Sequence, residues 1–242
     1  FVAVWDNARA GSRSDIQSAR RTLSSDAFGT VITVLADDQP TEFNFIEPEI
    51  AGEGDRFSDD DIIEYVIVCE GTFTNVTDDG SVTDRDIFVA VSPDGEDWNI
   101  GNTMQMGILN PGLFNVLNDQ ENDANDDEIP YDDARPHIAT DYLGNWVAVW
   151  HRTPIIGGDP SVVSAVTNNP VFWLNIPEGV DDIESSQDEV TPADEDDGAE
   201  NARVIHDGFI NWTMVFELGP DVFASISEDG TGWCDPFLVN IP

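Results

Sequence analysis

Three arginines, Arg56, Arg135 and Arg203, each head a short run: RFSDDDI at 56–62, RPHIATD at 135–141 and RVIHDGF at 203–209. A guanidinium holds a carboxylate through two parallel bonds in a rigid fork. Carboxylates flank them (Asp55, Asp132, Asp133 and Glu200), and pairing within the protein is the competing use of the same charges. His137 and His206 follow the second and third arginines at unlike offsets. Asp132, Asp133, Arg135, His137, Arg203 and His206 are the expected binding set, and Arg56, Arg135, Arg203 and Tyr131 are the alternative catalytic set. A second chemistry lies at 118–128, where Asn and Asp alternate. Asp119, Asp123, Asp126 and Asp127 offer hard oxygens of the kind Ca²⁺ takes in sixes to eights. Ca²⁺ is therefore the candidate cofactor, although the ordered spacing of an EF-hand is absent and a solvated acidic loop explains the same residues. No His-x-x-x-His pair, nucleophile elbow, P-loop or dinucleotide fingerprint occurs.

These side chains must be positioned by strands. Four runs align as one family: VAVW at 2–5, VIVC at 66–69, VAVW at 147–150 and TMVF at 213–216, each preceded by an aromatic residue (Phe1, Tyr65, Trp146, Trp212). A second family follows: DIQSAR at 15–20, DIFVAV at 86–91, SVVSAV at 161–166 and DVFASI at 221–226. A third comprises FNFIEP at 43–48, LFNVLN at 113–118, FWLNIP at 172–177 and FLVNIP at 237–242. The Arg-headed runs are the fourth. The runs are short, rich in Val, Ile, Phe and Trp, and bounded by Gly, Asp, Asn and Pro, with no sustained helical period. Four strands per unit give repeats at about 1–48, 56–118, 135–177 and 203–242, which a radial all-β fold accommodates best. A two-layer β-sandwich is the rival architecture.

Two of the units carry a shared turn, Ser92-Pro-Asp94-Gly95-Glu-Asp-Trp98 and Ser227-Glu-Asp229-Gly230-Thr-Gly-Trp233. Asp-Gly is a tight-hairpin signal, because Gly tolerates positive φ and Asp bonds its own turn backbone. The turn resembles the Asp box of sialidases and related β-propellers, with Gly one place earlier than in the usual pattern. The resemblance implies an all-β propeller of four-stranded blades, four of them visible and part of a larger ring, in one domain or a fragment of one. It implies that these turn residues are structural, that Trp98 and Trp233 pack between sheets, and that ligands bind at the opposite end of the blades. It also implies a reading of the three arginines as a carboxylate clamp, but the sialidase Tyr–Glu nucleophile pair and Arg-Ile-Pro motif have no counterpart.

Charge narrows the partners. Forty-nine acidic residues face nine basic ones, all Arg, for a net charge of −40. Such a surface repels nucleic acid and anionic membranes, and it suits high salt, where screening shortens to about 3 Å near 1 M. A halophilic or marine source is the expectation for the missing Lys, with an acidic secreted protein of an ordinary organism as the alternative. No apolar run approaches the roughly 20 residues of a membrane span. The chain opens on Phe1-Val-Ala-Val-Trp5, in mid-strand, so a processed chain or a piece of a longer one is expected. Cys69 and Cys234 fall in different repeats, and no disulfide is expected between them. The expected function is binding or structural interaction by an extracellular or cell-surface module, its partner a glycan or a protein, cationic rather than anionic, with other segments or subunits completing the ring. A sialidase-like glycoside hydrolase and a scaffold subunit of a surface filament or layer are the alternatives.

Overall fold

The computed structural model of the chain describes residues 1–9, 13–36, 44–53, 64–77, 80–98, 131–154, 160–168, 187–189 and 199–239. Among them no helix occurs, and so none is long and apolar enough to cross a membrane. The strands form four separate antiparallel meanders in chain order. Sheet one is β1 (Val2–Arg9), β2 (Arg13–Arg20) and β3 (Ile32–Leu35). Sheet two is β4 (Asn44–Gly52), β5 (Tyr65–Thr77) and β6 (Gly80–Ser92). Sheet three is β7 (Tyr131–Thr140), β8 (Trp146–Pro154), β9 (Ser161–Thr167) and β10 (Gln187–Glu189). Sheet four is β11 (Ala199–His206), β12 (Trp212–Leu218), β13 (Asp221–Ser227) and β14 (Phe237–Leu238).

The sheets stack face on face, as propeller blades do. Val2, Val4 and Ile16 of sheet one meet Phe45, Ile67, Cys69 and Phe88 of sheet two. The opposite side of sheet two, Val66, Val68, Ile87, Val89 and Val91, meets Ile138, Trp146, Ala148 and Trp150 of sheet three. The far side of sheet three, Val147, Val149 and Val162, meets Val204, Trp212, Met214 and Phe216 of sheet four. Sheets two and three are thus covered on both faces. Their strands read as unbroken apolar runs, YVIVC and WVAVW, because both orientations of the pleat are buried. Each fully buried Val or Phe is worth about 1.5–3 kcal/mol, so these three seams hold the stack together. The β12 run WTMVFEL alternates instead, with Trp212, Met214, Phe216 and Leu218 buried and Val215 and Glu217 exposed.

The two Ser…Trp turns are built alike. Gly95 N–H donates to Ser92 Oγ at 2.7 Å and Gly230 N–H to Ser227 Oγ at 2.9 Å. Asp94 Oδ1 accepts from the N–H groups of Glu96 and Asp97, each at 2.8 Å, and Asp229 Oδ1 accepts from Thr231 at 2.9 Å and Gly232 at 3.1 Å. Those backbone donors hold the Asp229 carboxyl below its ordinary range, at about 2. Both glycines have positive φ, 76° and 83°.

Two strand assignments from the sequence need correction. FNFIEP does not close the first unit. Its residues from Asn44 on lie in β4, which pairs with β5 (Asn44↔Thr72 through Gly52↔Tyr65) and is the first strand of sheet two. Phe45 is wholly buried and meets Phe88 edge-on, with centroids 5.3 Å apart. Its apolar pair followed by Pro imitates FLVNIP, but this Pro belongs to a bulge. The third strand of sheet one is Ile32–Leu35, and the strand beside β9 is Gln187–Glu189, while 113–118 and 172–177 lie outside the described residues. The first strands of sheets two to four are therefore 44–52, 131–140 and 199–206, and repeats one and two meet before residue 44 rather than after 48.

Candidate functional site

The first strands of sheets two, three and four carry the same irregularity. Glu47-Pro48 lies between Ile46↔Glu70 and Glu49↔Val68, so two residues oppose Cys69 alone. Arg135-Pro136 likewise opposes Trp150, and Asn201-Ala202 opposes Phe216. Glu47, Arg135 and Asn201 have φ of 50°, 55° and 55°, in the left-handed region that non-glycine residues seldom occupy. A bulge of this kind bends the strand and re-aims a side chain, and the strain persists only where the surroundings impose it. Three bulges at one level mark one end of the stack, opposite the Ser…Trp turns.

Charged side chains gather at that end and bridge the sheets. Arg85 of β6 is paired with Asp132 of β7 through two nitrogens and with Glu70 of β5 at 3.3 Å. Glu70 Oε2 also accepts the Arg135 backbone N–H at 3.4 Å. Burial raises the Glu70 carboxyl pKa, and Arg85 opposes that rise. The Arg135 guanidinium donates to Glu200 Oε2 at 3.1 Å and Asn201 Oδ1 at 2.8 Å. Asn201 Nδ2 then donates to Glu217 Oε2 at 2.8 Å. The network thus runs from sheet two through sheet three to sheet four.

Behind it lies a buried acid. Asp133 has no exposed surface; its Oδ1 accepts from Trp150 Nε1 at 2.9 Å and from Arg152 Nε at 3.1 Å, and its Oδ2 has no hydrogen-bond partner. Burial pushes this carboxyl up to about 6, against the pull of Arg152. His137 accepts the Val204 N–H on Nδ1 at 3.2 Å, linking sheets three and four. Burial, with Arg203 beside it, lowers its pKa to about 4, so the ring is neutral at pH 7. His151 is lowered in the same direction by burial.

The expected site residues are distributed unevenly. Asp132, Asp133, Arg135 and His137 come together on β7, and Arg203 stands near Glu49 and His137. Arg203 is the register equivalent of His137 and Glu49, each opposite a β-branched strand-two residue (Val215, Val149, Val68), and not of Arg135. The matching-arginine alignment fails because it was set on the shared arginine: the bulges lie at the same level, so counting back from Trp146 and Trp212 places Asn201, not Arg203, on Arg135. His206 ends β11 at the other end of the sheet. There it accepts the Gly208 N–H and lines a cleft of about 450 Å³ with Asp141, Phe209, Ile210 and Trp212. Tyr131 opens β7, its backbone opposite Pro154. Arg56 and the Ca²⁺ candidates Asp119, Asp123, Asp126 and Asp127 lie outside the described residues; among those described, no group of three or more His, Cys, Asp or Glu is arranged to hold a metal ion.

Sequence reading missed Glu70, Arg85, Asn201 and Glu217. The signal for two of them was present: Glu70, His151 and Glu217 each stand five places after the aromatic that opens its strand run (Tyr65, Trp146, Trp212).

No family model and no curated protein matches the chain. Among solved structures it is similar to an α-L-arabinanase from Penicillium chrysogenum complexed with arabinobiose, at 10% identity and TM-score 0.47 over 96% of this chain and 57% of that one. It is also similar to an α-L-arabinofuranosidase from Fusarium graminearum in complex with an iminosugar inhibitor, at 12% identity and TM-score 0.47 over 100% of this chain and 59% of that one. A glycosyl hydrolase from Bacteroides ovatus is matched at 16% identity and TM-score 0.37 over 73% of this chain and 46% of that one. The chain spans less than two thirds of the length of each.

Proposed function

We propose that the chain is an extracellular or cell-surface binding module that takes a neutral or cationic, hydroxyl-rich ligand such as an uncharged glycan at the bulged end of sheets two to four. The observation that supports this is the three aligned bulges, with Glu47, Arg135 and Asn201 held in left-handed conformations beside a bridged row of arginines and carboxylates. A fixed array of charged donors and acceptors suits hydroxyl groups and is ordered before the ligand arrives. Arg85 and Arg135 are already matched by Asp132, Glu70 and Glu200, so neither of these two guanidinium groups stands open as a clamp for an anionic sugar. Calorimetric titration with neutral oligosaccharides should show saturable binding that R135A weakens about tenfold or more. Equal affinity of R135A and the parent chain, or tighter binding of a sialylated than of a neutral oligosaccharide, would sink the proposal.

Glycoside hydrolysis is the second reading: burial raises the Asp133 carboxyl to about 6, a value suited to proton donation. Because Asp133 has no exposed surface, this reading requires that substrate binding open its surroundings. The α-L-arabinanase and α-L-arabinofuranosidase among the solved structures suggest the panel: aryl α-L-arabinofuranosides. Turnover abolished by D133N would favour hydrolysis, and no turnover alongside glycan binding would favour the module.

A further inference from the structure

The outward face of sheet four repeats, position by position, a face that is buried elsewhere in the same molecule. Aligning the strands on Tyr65 and Trp212, which pair with Ser92 and Ser227, places Thr213 on Val66, Val215 on Val68, Val222 on Ile87, Ala224 on Val89 and Ile226 on Val91. Ile205 falls on Ala51 by the same register, since each pairs with the next residue of its strand (Thr213, Val66). In sheet two these positions form the seam with sheet three. In sheet four Ile205 is 62%, Val215 37% and Ile226 38% exposed, while Thr213 and Val222 are half-buried and Ala224 is buried.

Sheet one presents the complementary half. Phe1, Ala3 and Trp5 stand where Trp146, Ala148 and Trp150 stand in sheet three, the three residues that bury against sheet two. Phe1 is 72% exposed. The run Phe1-Val-Ala-Val-Trp5 has the unbroken apolar pattern of a strand covered on both faces, yet only Val2 and Val4 pack on sheet two.

The tryptophan turns distinguish the two kinds of seam. Trp98 of sheet two donates to Ser18 of sheet one, and Trp233 of sheet four donates to Ser164 of sheet three, both at 3.0 Å. The register equivalent of those serines is Val89 in sheet two and Ala224 in sheet four. Sheet one has Ser24-Ser-Asp26-Ala-Phe28 after its second strand and no turn tryptophan to donate. Sheet four therefore asks for a neighbour of the sheet-one kind.

We propose that a second copy of this chain fills this seam, sheet one of one copy packing on sheet four of the next. Such a head-to-tail contact is heterologous, so it builds a closed ring or an open filament. The charge of −40 on each copy opposes it, and salt that screens over a few ångströms relieves that repulsion. The test is sedimentation of the purified chain at 0.1 M and 2 M NaCl over a concentration series. The mass should exceed one chain and grow with protein and with salt. V215E removes the sheet-four half and W5E the sheet-one half, so each alone should sediment as a monomer. Mixed one to one they should form a dimer and nothing larger, through the one intact pair of faces. Urea midpoints check that each variant is folded; should W5E unfold, F1E replaces it. A monomer at every concentration in 2 M NaCl overturns the proposal. So does an assembly that neither variant breaks, or a mixture that forms no dimer.

Discussion

Trp233 of sheet four donates its indole N–H to Ser164 Oγ of sheet three at 3.0 Å, and Ser164 is 1% exposed. One turn thereby fastens its own sheet to the sheet before it. Trp98 and Ser18 repeat the bond between sheets two and one at the same distance.

Removing either end takes away this bond between the two sheets. W233F and S164A should each lower stability by about 1 kcal/mol, and a double-mutant cycle should return a coupling of about 0.5–1 kcal/mol. Urea midpoints of the four proteins decide it. Strict additivity would mean that the bond contributes nothing beyond packing.

Two glycines with positive φ should respond differently to alanine. Gly230 has φ +83°, and an added Cβ would lie 2.6 Å from Val147 Cγ2 on the neighbouring sheet; Gly144 has φ +101° with nothing within 4 Å. G144A carries the backbone cost alone, about 1–2 kcal/mol. G230A adds overpacking of about 1–3 kcal/mol. Thermal melts should rank G230A well below G144A. Equal losses would show that Val147 yields freely.

Asp133 gives a pH signature of definite sign. Its folded-state pKa, about 6, lies above the ordinary carboxylate value, so the folded protein holds this proton more tightly than the unfolded chain does. The stabilisation is fully present below about pH 4 and is lost as pH rises through 6. D133N keeps an oxygen for Trp150 and Arg152 but does not titrate. The stability of the parent relative to D133N should therefore fall between pH 4 and 7, by an amount on the order of 2 kcal/mol. A difference that is flat with pH would contradict the raised value.

His137 acts in the opposite sense over an overlapping range. Burial holds its pKa near 4, below the ordinary histidine value, so its contribution is present above about pH 6.5 and is lost as pH falls toward 4. H137N retains an acceptor for the Val204 N–H. Denaturant melts at pH 4, 5, 6 and 7 should show the parent losing stability relative to H137N toward low pH. A parent that instead gains on H137N would reverse the assignment.

How far the site was legible depended on insertions. Glu70 and Glu217 follow directly from aligning VIVCE with TMVFE, because no bulge interrupts β5 or β12. Arg203 was misaligned with Arg135 because residue identity was followed instead of register; β7 and β11 carry their bulges at the same level, where Arg135 is matched by Asn201. Asp133 looked like a rim acid beside Asp132, and neighbours on a strand do point to opposite sides. Which of the two sides is dry depended on Trp150 from the next strand.

The amino-acid sequence alone determined the strands, their repetition, the Ser…Trp turns and the acidity, since each is a local property of residue type and spacing. The tertiary structure decided which runs share a sheet, which carboxylates pair across sheets and which one is sealed from water. Those outcomes rest on contacts between residues far apart in the chain, and a two-residue bulge or a single packed indole is enough to alter them.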